Sequence, residues 1–530
     1  MSRGQYNQHD FSIAPQADIP RSSFDRSFGY KTTINADYLY PVFIDEVVPG
    51  DTMDLGADVL IRMATPINPP MDTIYYNMEW FYTPDRLVMD KWVNLMGEQT
   101  NPNDSIDYTV PVLSPLTGSA IYDTGSIHDY FGIPTKTTGL SNINALPFRA
   151  YNLIYNEWYR NENLIDSLTV DKGLGPDTTS YVLQKSAKVH DYFSSALPWA
   201  QKGAASTVSL GGSAPVKGIG AREQGFPVSG QVVYESGATS SSTFANSQLI
   251  NHTENASCYY VKGTAASGYP DIYADLSSAT PIDINTLRQA FQIQKFLERD
   301  ARGGTRYIET IRSHFNVISP DQRMQRPEYL GACSGTIGIH SVPQNSSTDS
   351  TSPQGNLAAF GIGTSSKHAF SKSFTEHGYI IGLLRLRGDL TYQQGLNRMW
   401  SRRTRYDFYW PVFAHLGEQT ILNKEIYAQG TSADDDPFGY QERYAEMRYY
   451  PSMVTGKFRS NATGTLDSWH LSQDFSSLPT LGQTFNDSNT PMTRIQAVNT
   501  EPSFLVDIHY NYRCARPMPM YSVPGLVDHF

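Results

Sequence analysis

Apolar and polar positions alternate with a period of two near both ends of the chain. In IYYNMEWFY (74–82) and FLVDIHYNYRC (504–514), every second side chain is aromatic, aliphatic or sulfur-containing. This period places one set of side chains on one face of a β-strand. We therefore predict that strands from about 36–82 and from 379–515 lie in one β-sandwich, with both faces of the 74–82 strand at least half buried.

A period near 3.6 residues predicts helices between these strand regions. The pattern appears in TPDRLVMDKWVNLMG (83–97), in LPFRAYNLIYNEWYRNENL (146–164) and in DINTLRQAFQIQKFLERDARGG (283–304). Each places its apolar side chains on one face of a helix. The paired glycines Gly303 and Gly304 are expected to end the third helix, because glycine readily adopts the backbone conformation that terminates helices.

The remaining segments suggest a single domain with an N-terminal arm and a large insertion. Residues 1–30 are polar and contain two prolines, so we predict an extended N-terminal arm. Residues 31–530 form the body, in which large insertions separate the strands. Within it, residues 203–279 are dominated by Gly, Ser, Thr and Ala. Since this segment is too long for a connecting loop, we predict a surface insertion.

The composition supports a mainly β protein. Hydrophobic residues make up 39% of the 530 residues, charged residues 18% and aromatic residues 12%, including 34 tyrosines. Such a chain is too aromatic to be disordered and too poor in helix formers to be a helical bundle. No run approaches the roughly 18 apolar residues of a membrane span, and we expect no signal peptide because the N-terminal stretch has no apolar core.

The net charge limits the expected contacts with nucleic acid, and the cysteines indicate whether disulfides form. The formal net charge is −11, so any contact with nucleic acid is expected to be local or to depend on a basic partner. The three cysteines, Cys258, Cys333 and Cys514, are odd in number and far apart in sequence. This pattern favours reduced thiols over a disulfide framework.

The acidic clusters lack the arrangement that catalysis or metal binding requires. Asp45 and Glu46 are adjacent in a predicted strand, so their side chains point to opposite faces, and Asp51 belongs to the next turn. The loop SADDDPFG (432–439) offers oxygen ligands to a hard cation but lacks the Gly and Glu of an EF-hand, which favours a solvated loop. Motifs for phosphate loops, dinucleotides, zinc proteases and serine hydrolases are missing from the sequence. We therefore predict a protein that is not an enzyme, with no catalytic residue, cofactor or metal ligand.

One stretch, NRMWSRRTRYDFYW (397–410), is both basic and aromatic. Arginine, tyrosine and tryptophan are favoured anchors of contacts between subunits. Arginines beside stacking rings also suit single-stranded nucleic acid. We prefer the subunit contact and keep the DNA contact open, with these candidates: Arg398, Trp400, Arg402, Arg403 and Arg405.

Several long blocks are similar to a known family. They are ADIPRSSFDRSFGYKTTINADYLYPVFIDEVVPGDTMDL, LPFRAYNLIYNEWYRNENL, NRMWSRRTRYDFYWPVFAHLGEQTILNKEIYAQG, DDPFGYQERYAEMRYYPSMVTGKFRS and the ending PGLVDHF. These blocks closely resemble the major capsid proteins of the small single-stranded DNA phages, the Microviridae, in the gokushovirus branch. The YAEMRYYPS stretch departs from the family pattern at Met447 and Tyr450, where Tyr and Lys are expected.

The resemblance implies an eight-stranded viral jelly roll that assembles as a T=1 icosahedral shell around circular single-stranded DNA. It also implies a small basic DNA-binding protein, a pilot protein and an internal scaffolding protein as partners. The location would be the virion, assembled in the cytoplasm of a bacterial host. Relatives carry a protrusion at the threefold axis, and segment 203–279 is expected to form it. Its candidates for attachment to a host surface receptor are Val232, Tyr234, Tyr259 and Tyr260.

A second class of protein also fits a β-sandwich rich in Tyr and Trp. A secreted carbohydrate-binding or glycoside-cleaving protein would have a secretion signal and, for cleavage, two carboxylates in one groove. The sequence shows neither feature, which favours the capsid interpretation.

Overall fold

The computed structural model describes residues 20–114, 121–204, 284–346, 348, 350 and 353–521, together with the backbone of short strands between 216 and 274. The chain forms two compact units. One consists of Gln201–Asp300, and the other consists of the chain on either side of that segment.

Strands dominate the larger unit. In chain order, with β6 to β10 in the smaller unit, the strands are β1 (Ser22–Asp25), β2 (Phe28–Ile34), β3 (Tyr40–Val47), β4 (Thr52–Met63), β5 (Ile74–Pro84), β6 (Val216–Lys217), β7 (Ile219–Ala221), β8 (Val232–Glu235), β9 (Ser241–Thr243), β10 (Tyr273–Ala274), β11 (Glu328–Pro343), β12 (Leu357–Ser373), β13 (Gly378–Gly388), β14 (Glu418–Leu422), β15 (Pro437–Glu442) and β16 (Phe504–Arg516).

The main sheet is antiparallel, in the order β1-β16-β4-β12-β11-β5-β13-β3, and β2 also pairs with β16. Phe24 of β1 lies opposite Cys514, and Tyr30 of β2 lies opposite Ile508, so β1 and β2 are two parts of one interrupted strand. At the interruption, the Arg26 backbone N–H donates to the carbonyl of Tyr512 at 2.8 Å. The sheet therefore has eight strand positions, and the prediction of an eight-stranded jelly-roll sandwich is confirmed.

The sheet curls so that its two halves face each other. β11 joins them, because Glu328–Ile337 pairs with β5 whereas Gly338–Pro343 pairs with β12. Between the halves lies an apolar core that includes the fully buried Trp80 and residues of β3, β4, β5, β13 and β16. The Tyr510 hydroxyl of β16 crosses this core to donate to the Val42 carbonyl of β3 at 3.1 Å. Early and late strands thus share one sandwich, as predicted.

A second core covers the outer face of the β5–β13 half. Helix α3 packs there, with Phe148 and Tyr151 buried against Phe81 of β5 and Leu383 of β13. The 74–82 strand therefore has buried side chains on both faces, which explains its aromatic residues of both parities. A third, smaller core gathers around Tyr192 and the β14–β15 hairpin.

The helices are mostly short. They are α1 (Trp92–Leu95), α2 (Ile127–Tyr130), α3 (Leu146–Ile154), α4 (Ile284–Arg302), α5 (Tyr307–Phe315), α6 (Asn423–Ile426), α7 (Gln483–Asn486) and α8 (Met492–Ile495). A π-helical turn, Tyr155–Tyr159, continues α3.

The 146–164 and 283–304 helices are confirmed as α3 and α4. The continuous helix predicted for 83–97 is wrong. β5 extends through Pro84, since this strand pairs with β13 up to Gly378, and only a 3-10 turn and the short α1 follow.

The described part of the predicted N-terminal arm lies in the main sheet. The Phe28 ring packs 5.0 Å from the ring of Tyr510 and 6.0 Å from that of Phe43. An arm is therefore limited to the residues before Ser22, and residues 1–19 lie outside the described residues.

The smaller unit contains the whole of the predicted 203–279 insertion together with most of α4. Its described strands form two small sheets. β6 pairs with β10, and β8 pairs with β7 on one edge and with β9 on the other.

Candidate functional site

The basic, aromatic stretch forms an irregular surface between β13 and β14. Three 3-10 turns follow one another there, Arg398–Ser401, Arg405–Asp407 and Pro411–His415. The Asn397 side chain accepts from the Met399 N–H at 3.0 Å, and Asp407 accepts from the Thr404 N–H at 2.7 Å. These local hydrogen bonds hold a loop that neither sheet nor long helix supports.

Large apolar side chains point outward from this surface. Trp400 is 70% exposed and Val412 is 74% exposed, although burial of such side chains is favourable. A further group comes from the segment after β15, where Tyr450 is 65% exposed. We call the whole set the aromatic surface: Leu396, Met399, Trp400, Tyr406, Phe408, Tyr409, Trp410, Val412, Leu416, Met447, Tyr449, Tyr450 and Met453.

Contacts connect the parts of the aromatic surface. The Arg405 guanidinium lies 5.4 Å from the Tyr406 ring centre and 6.0 Å from that of Trp410. Trp400 and Tyr449, which come from the two separate segments, line the same cavity of about 210 Å³. Exposed apolar patches of this kind mark interaction sites on soluble proteins.

Arg398 lies under the surface and is held within its own subunit. It donates to the Thr420 carbonyl at 2.7 Å and to Glu425 at 3.1 Å. Glu425 also accepts from the Tyr192 hydroxyl at 2.9 Å. Burial raises the pKa of Glu425 above its ordinary value, although Arg398 acts in the opposite direction.

Arg402 is also engaged inside the chain. Its guanidinium lies 3.4 Å from the carboxylate of Glu446 and 5.8 Å from the ring centre of Phe408. Gln419 donates to the same carboxylate at 2.5 Å. Arg398 and Arg402 therefore join the first segment of the surface to the β14–β15 region.

Arg403 and Arg405 are exposed. Among the described residues neither forms an ion pair, and Arg405 lies over the rings named above. The five sequence-predicted residues thus divide into two inward arginines and an outward group of Trp400, Arg403 and Arg405. Sequence reasoning missed the carboxylate partners Glu425 and Glu446, which no spacing connects with the arginines.

The attachment candidates belong to the smaller unit. Val232 and Tyr234 lie in β8, where Val232 pairs with Thr243 and Tyr234 pairs with Gly220 and Ser241. Tyr259 and Tyr260 lie outside the described residues.

The acidic side chains are engaged in structural hydrogen bonds and ion pairs. Asp45 accepts from the Arg26 guanidinium at 2.9 Å, and the buried Asp51 accepts from the Val48 N–H at 2.9 Å. In the 432–439 loop, Asp434 accepts from the Gly430 N–H at 2.8 Å, and Asp435 pairs with Lys424 at 2.5 Å. Hence Asp51 and Asp434 hold turns, whereas Asp45 and Asp435 form ion pairs.

The described residues were compared in three respects: metal ligands, thiols and long apolar helices. Across the described ranges, no group of three or more His, Cys, Asp or Glu side chains is placed to hold a metal ion. Cys333 and Cys514 are free, buried thiols. No described helix has both the length and the apolar character to cross a membrane.

Comparison with known proteins assigns the family. A family model described as capsid protein (F protein) matches residues 12–526. The chain is 49% identical to capsid protein VP1 of Bdellovibrio phage phiMH2K, over 99% of both chains. It is 45% identical to capsid protein VP1 of Chlamydia phage 1 over 97% of both chains. It is 35% identical to that of Spiroplasma virus 4 over 99% of both.

These matches span nearly the whole chain, including the aromatic surface and the smaller unit. They confirm the resemblance that the sequence blocks indicated, and they favour the capsid interpretation over a carbohydrate-active protein. The chain therefore belongs to the capsid protein (F protein) family of phages, in the gokushovirus branch of the Microviridae, and its role in the virion is structural.

Proposed function

We propose that copies of this chain assemble into a T=1 icosahedral shell around a single-stranded DNA genome, with the aromatic surface as one contact between copies. The exposure of the aromatic surface is the observation that carries the proposal. Because the chain belongs to a capsid family and a capsid protein functions as a shell of many copies, the partner of this surface is expected to be another copy of the chain. Aromatic side chains with arginines at their edge are typical of the centre of such contacts.

The arginines have two roles in this proposal. Arg398 and Arg402 fix the shape of the aromatic surface through Glu425 and Glu446. Arg403 and Arg405 face the neighbouring copy and pair with its carboxylates. A contact of these two with packaged DNA is the alternative, and the salt dependence of DNA retention separates the two cases.

The net charge of −11 bears on the other partners. A shell of acidic subunits neutralises little DNA, so we propose that a small basic DNA-binding protein supplies most of the cations. A pilot protein and an internal scaffolding protein complete the proposed partners. Assembly is proposed to take place in the cytoplasm of the bacterial host.

The smaller unit has a separate role in the proposal. Gln201–Asp300 forms a compact unit of its own, and its 203–279 part is rich in Gly, Ser and Thr. We propose that residues 203–279 protrude outward at the threefold axis and contact a host surface receptor. Val232 and Tyr234, together with Tyr259 and Tyr260, are its proposed contact residues.

Electron microscopy of the purified full-length chain tests the shell. We expect closed particles from the natural chain and dispersed subunits from a chain with Trp400→Ser and Tyr450→Ser. Loss of two central aromatic anchors should raise the concentration required for assembly by at least about tenfold. The matched control carries Ile67→Ser and Met71→Ser, which are 50% and 70% exposed outside the aromatic surface. Normal shells from the Trp400/Tyr450 variant would remove the aromatic surface from the proposal.

A second pair of changes tests the exposed arginines. With Arg403→Ala and Arg405→Ala, we expect reduced shell yield and a normal ratio of DNA to protein in the shells that form. Normal shell yield with less packaged DNA would instead assign these arginines to nucleic acid.

A further inference from the structure

A cavity of about 800 Å³ lies in the larger unit, away from the aromatic surface. Its walls come from the end of the π-helical turn and the following loop, residues 158–163, and from residues 301–316, which include α5. Residues 187–197 and Asn486 of α7 complete it. The volume is in the range of pockets that hold a small molecule or a nucleotide.

Two buried hydrogen-bond donors at this cavity have no partner among the residues that the structure describes. Asn486 is only 2% exposed, and its Nδ2 group lacks an acceptor among the described residues. Its amide oxygen is already engaged, because it accepts from Asn161 Nδ2 at 3.2 Å. Arg160 donates through one Nη group to the Ile165 carbonyl at 2.8 Å, while its buried Nε lacks a partner in the described structure. Buried donors without acceptors are rare and costly in native proteins, so their presence at one cavity requires an explanation.

The charges around the cavity are unevenly matched. Arg306 contacts the carboxylates of Glu162 and Glu309 at 3.1 and 3.2 Å. These two carboxyl groups are also hydrogen-bonded to each other. Burial, and then the hydrogen bond with Glu162, raise the pKa of Glu309 above its ordinary value, and Arg306 is the cation that contacts both carboxyl groups.

The other arginines of the cavity differ in their partners. Arg302 also lines the cavity, but its guanidinium is engaged by Glu418 at 2.9 Å and by Gln441 at 2.7 Å. Arg160 and Arg312 line the cavity, and among the described residues neither pairs with a carboxylate. The cavity thus combines two guanidinium groups that form no ion pair in the described structure with a buried amide donor, and this arrangement suits an acceptor-rich, negatively charged occupant.

We propose that this cavity binds a phosphate group carried by a nucleotide-sized ligand, with Arg160, Arg312 and the Asn486 amide as its donors. Phosphate oxygens accept several hydrogen bonds at once and match the planar fork of arginine. The phosphate has two possible sources, a phosphodiester of packaged DNA or a free nucleotide. The first source alone rests on the proposed function.

Calorimetric titration of the purified full-length, unassembled chain tests the proposal. The probes are thymidine 5′-monophosphate, thymidine without phosphate, and a short oligothymidylate, at matched ionic strength. We expect the monophosphate to bind and thymidine not to bind. Arg312→Gln and Asn486→Ala should each weaken binding by about tenfold, whereas the exposed Arg323→Gln should leave binding unchanged.

Folding controls keep the test decisive. Arg312 is exposed, so Arg312→Gln should retain the thermal unfolding midpoint of the natural chain even if Asn486→Ala does not fold. Equal binding of thymidine and its monophosphate, or equal weakening by Arg312→Gln and Arg323→Gln, would overturn the site. Competition by the oligothymidylate supports the site with DNA as the source, and binding of the monophosphate without competition supports it with a free nucleotide. The shell assembly seen by microscopy is measured separately, so failure of one proposal is distinguishable from failure of the other.

Discussion

The Tyr512 hydroxyl lies 2.5 Å from the carboxylate of Asp45. This hydrogen bond joins β16 to β3, strands from the two opposed halves of the curled sheet. The Arg26 guanidinium donates to the same carboxylate and lies 5.3 Å from the centre of the Tyr512 ring. A residue near the start of the chain, one from an early strand and one from the last strand therefore meet at one point.

Tyr512→Phe should lower the free energy of unfolding of the unassembled subunit by about 1 kcal/mol, because Asp45 loses one donor while the ring keeps its packing. Urea unfolding measures the change. Tyr406→Phe is the control, since Tyr406 is 59% exposed and its change should have little effect. Equal midpoints for Tyr512→Phe and the natural chain would show that the bond adds nothing to stability.

Arg149→Ala should destabilise the subunit by about 3–5 kcal/mol, because it leaves a buried charge on Asp177 without its partner. Arg149 is fully buried in α3 and donates to Asp177 at 2.7 Å and to the carbonyls of Val88 and Gly173. Arg323→Ala, at an exposed position, is the control. The measurement is the urea midpoint, and a loss below about 1 kcal/mol would contradict the assigned role.

The subunit should lose stability as the pH falls from about 6.5 to about 4, in part through His128. Burial lowers the pKa of His128 from 6.5 to about 4, and its ring stacks 4.1 Å from that of Tyr122. Because the pKa is lower in the folded state, the unfolded state binds the proton first, and folding is penalised within this window.

His128→Phe keeps a ring in the stack and removes the titrating group. Thermal unfolding midpoints at several pH values should therefore fall less steeply with acid than those of the natural chain. His340→Phe serves as the matched control, because His340 is exposed and its ring also stacks, 5.2 Å from that of Phe360. Identical pH profiles for His128→Phe and the natural chain would exclude this contribution.

Replacing residues 205–275 by a short Gly-Ser bridge tests the proposed protrusion. We expect shells that still assemble, since the larger unit has its own cores, but that no longer adsorb to host cells. Electron microscopy and adsorption assays give the two readouts. Unchanged adsorption would remove the attachment role from this segment.

The sandwich could be predicted because its signal is local. Alternation in 74–82 and 504–514 marks strands, and burial on both faces of β5 was visible in its aromatic residues of both parities. The failed helix at 83–97 has a physical reason. The period and the apolar face of 83–97 favoured a helix there, but pairing of Thr83 and Pro84 with β13 extended the strand instead.

The candidate surface was only partly predictable. The stretch 397–410 was identified by its basic and aromatic composition. Its aromatic side chains are exposed, as a contact surface requires. Arg398 points inward because it pairs with Glu425. The fold of the β14–β15 region brings Glu425 to it, so the neighbouring sequence of Arg398 gave no sign of this contact. The cavity at Asn486 brings together four distant segments, so no spacing in the sequence could reveal it.

The position of β16 has a consequence for synthesis of the protein. This last strand lies between the β1–β2 strand and β4, so half of the sheet lacks its middle member until residue 516 has left the ribosome. A product of premature translation termination would leave β2 unpaired and one edge of β4 open, and would not close the sandwich. The strand order therefore excludes shortened chains from the shell, because only translation products that extend through residue 516 can complete the sheet.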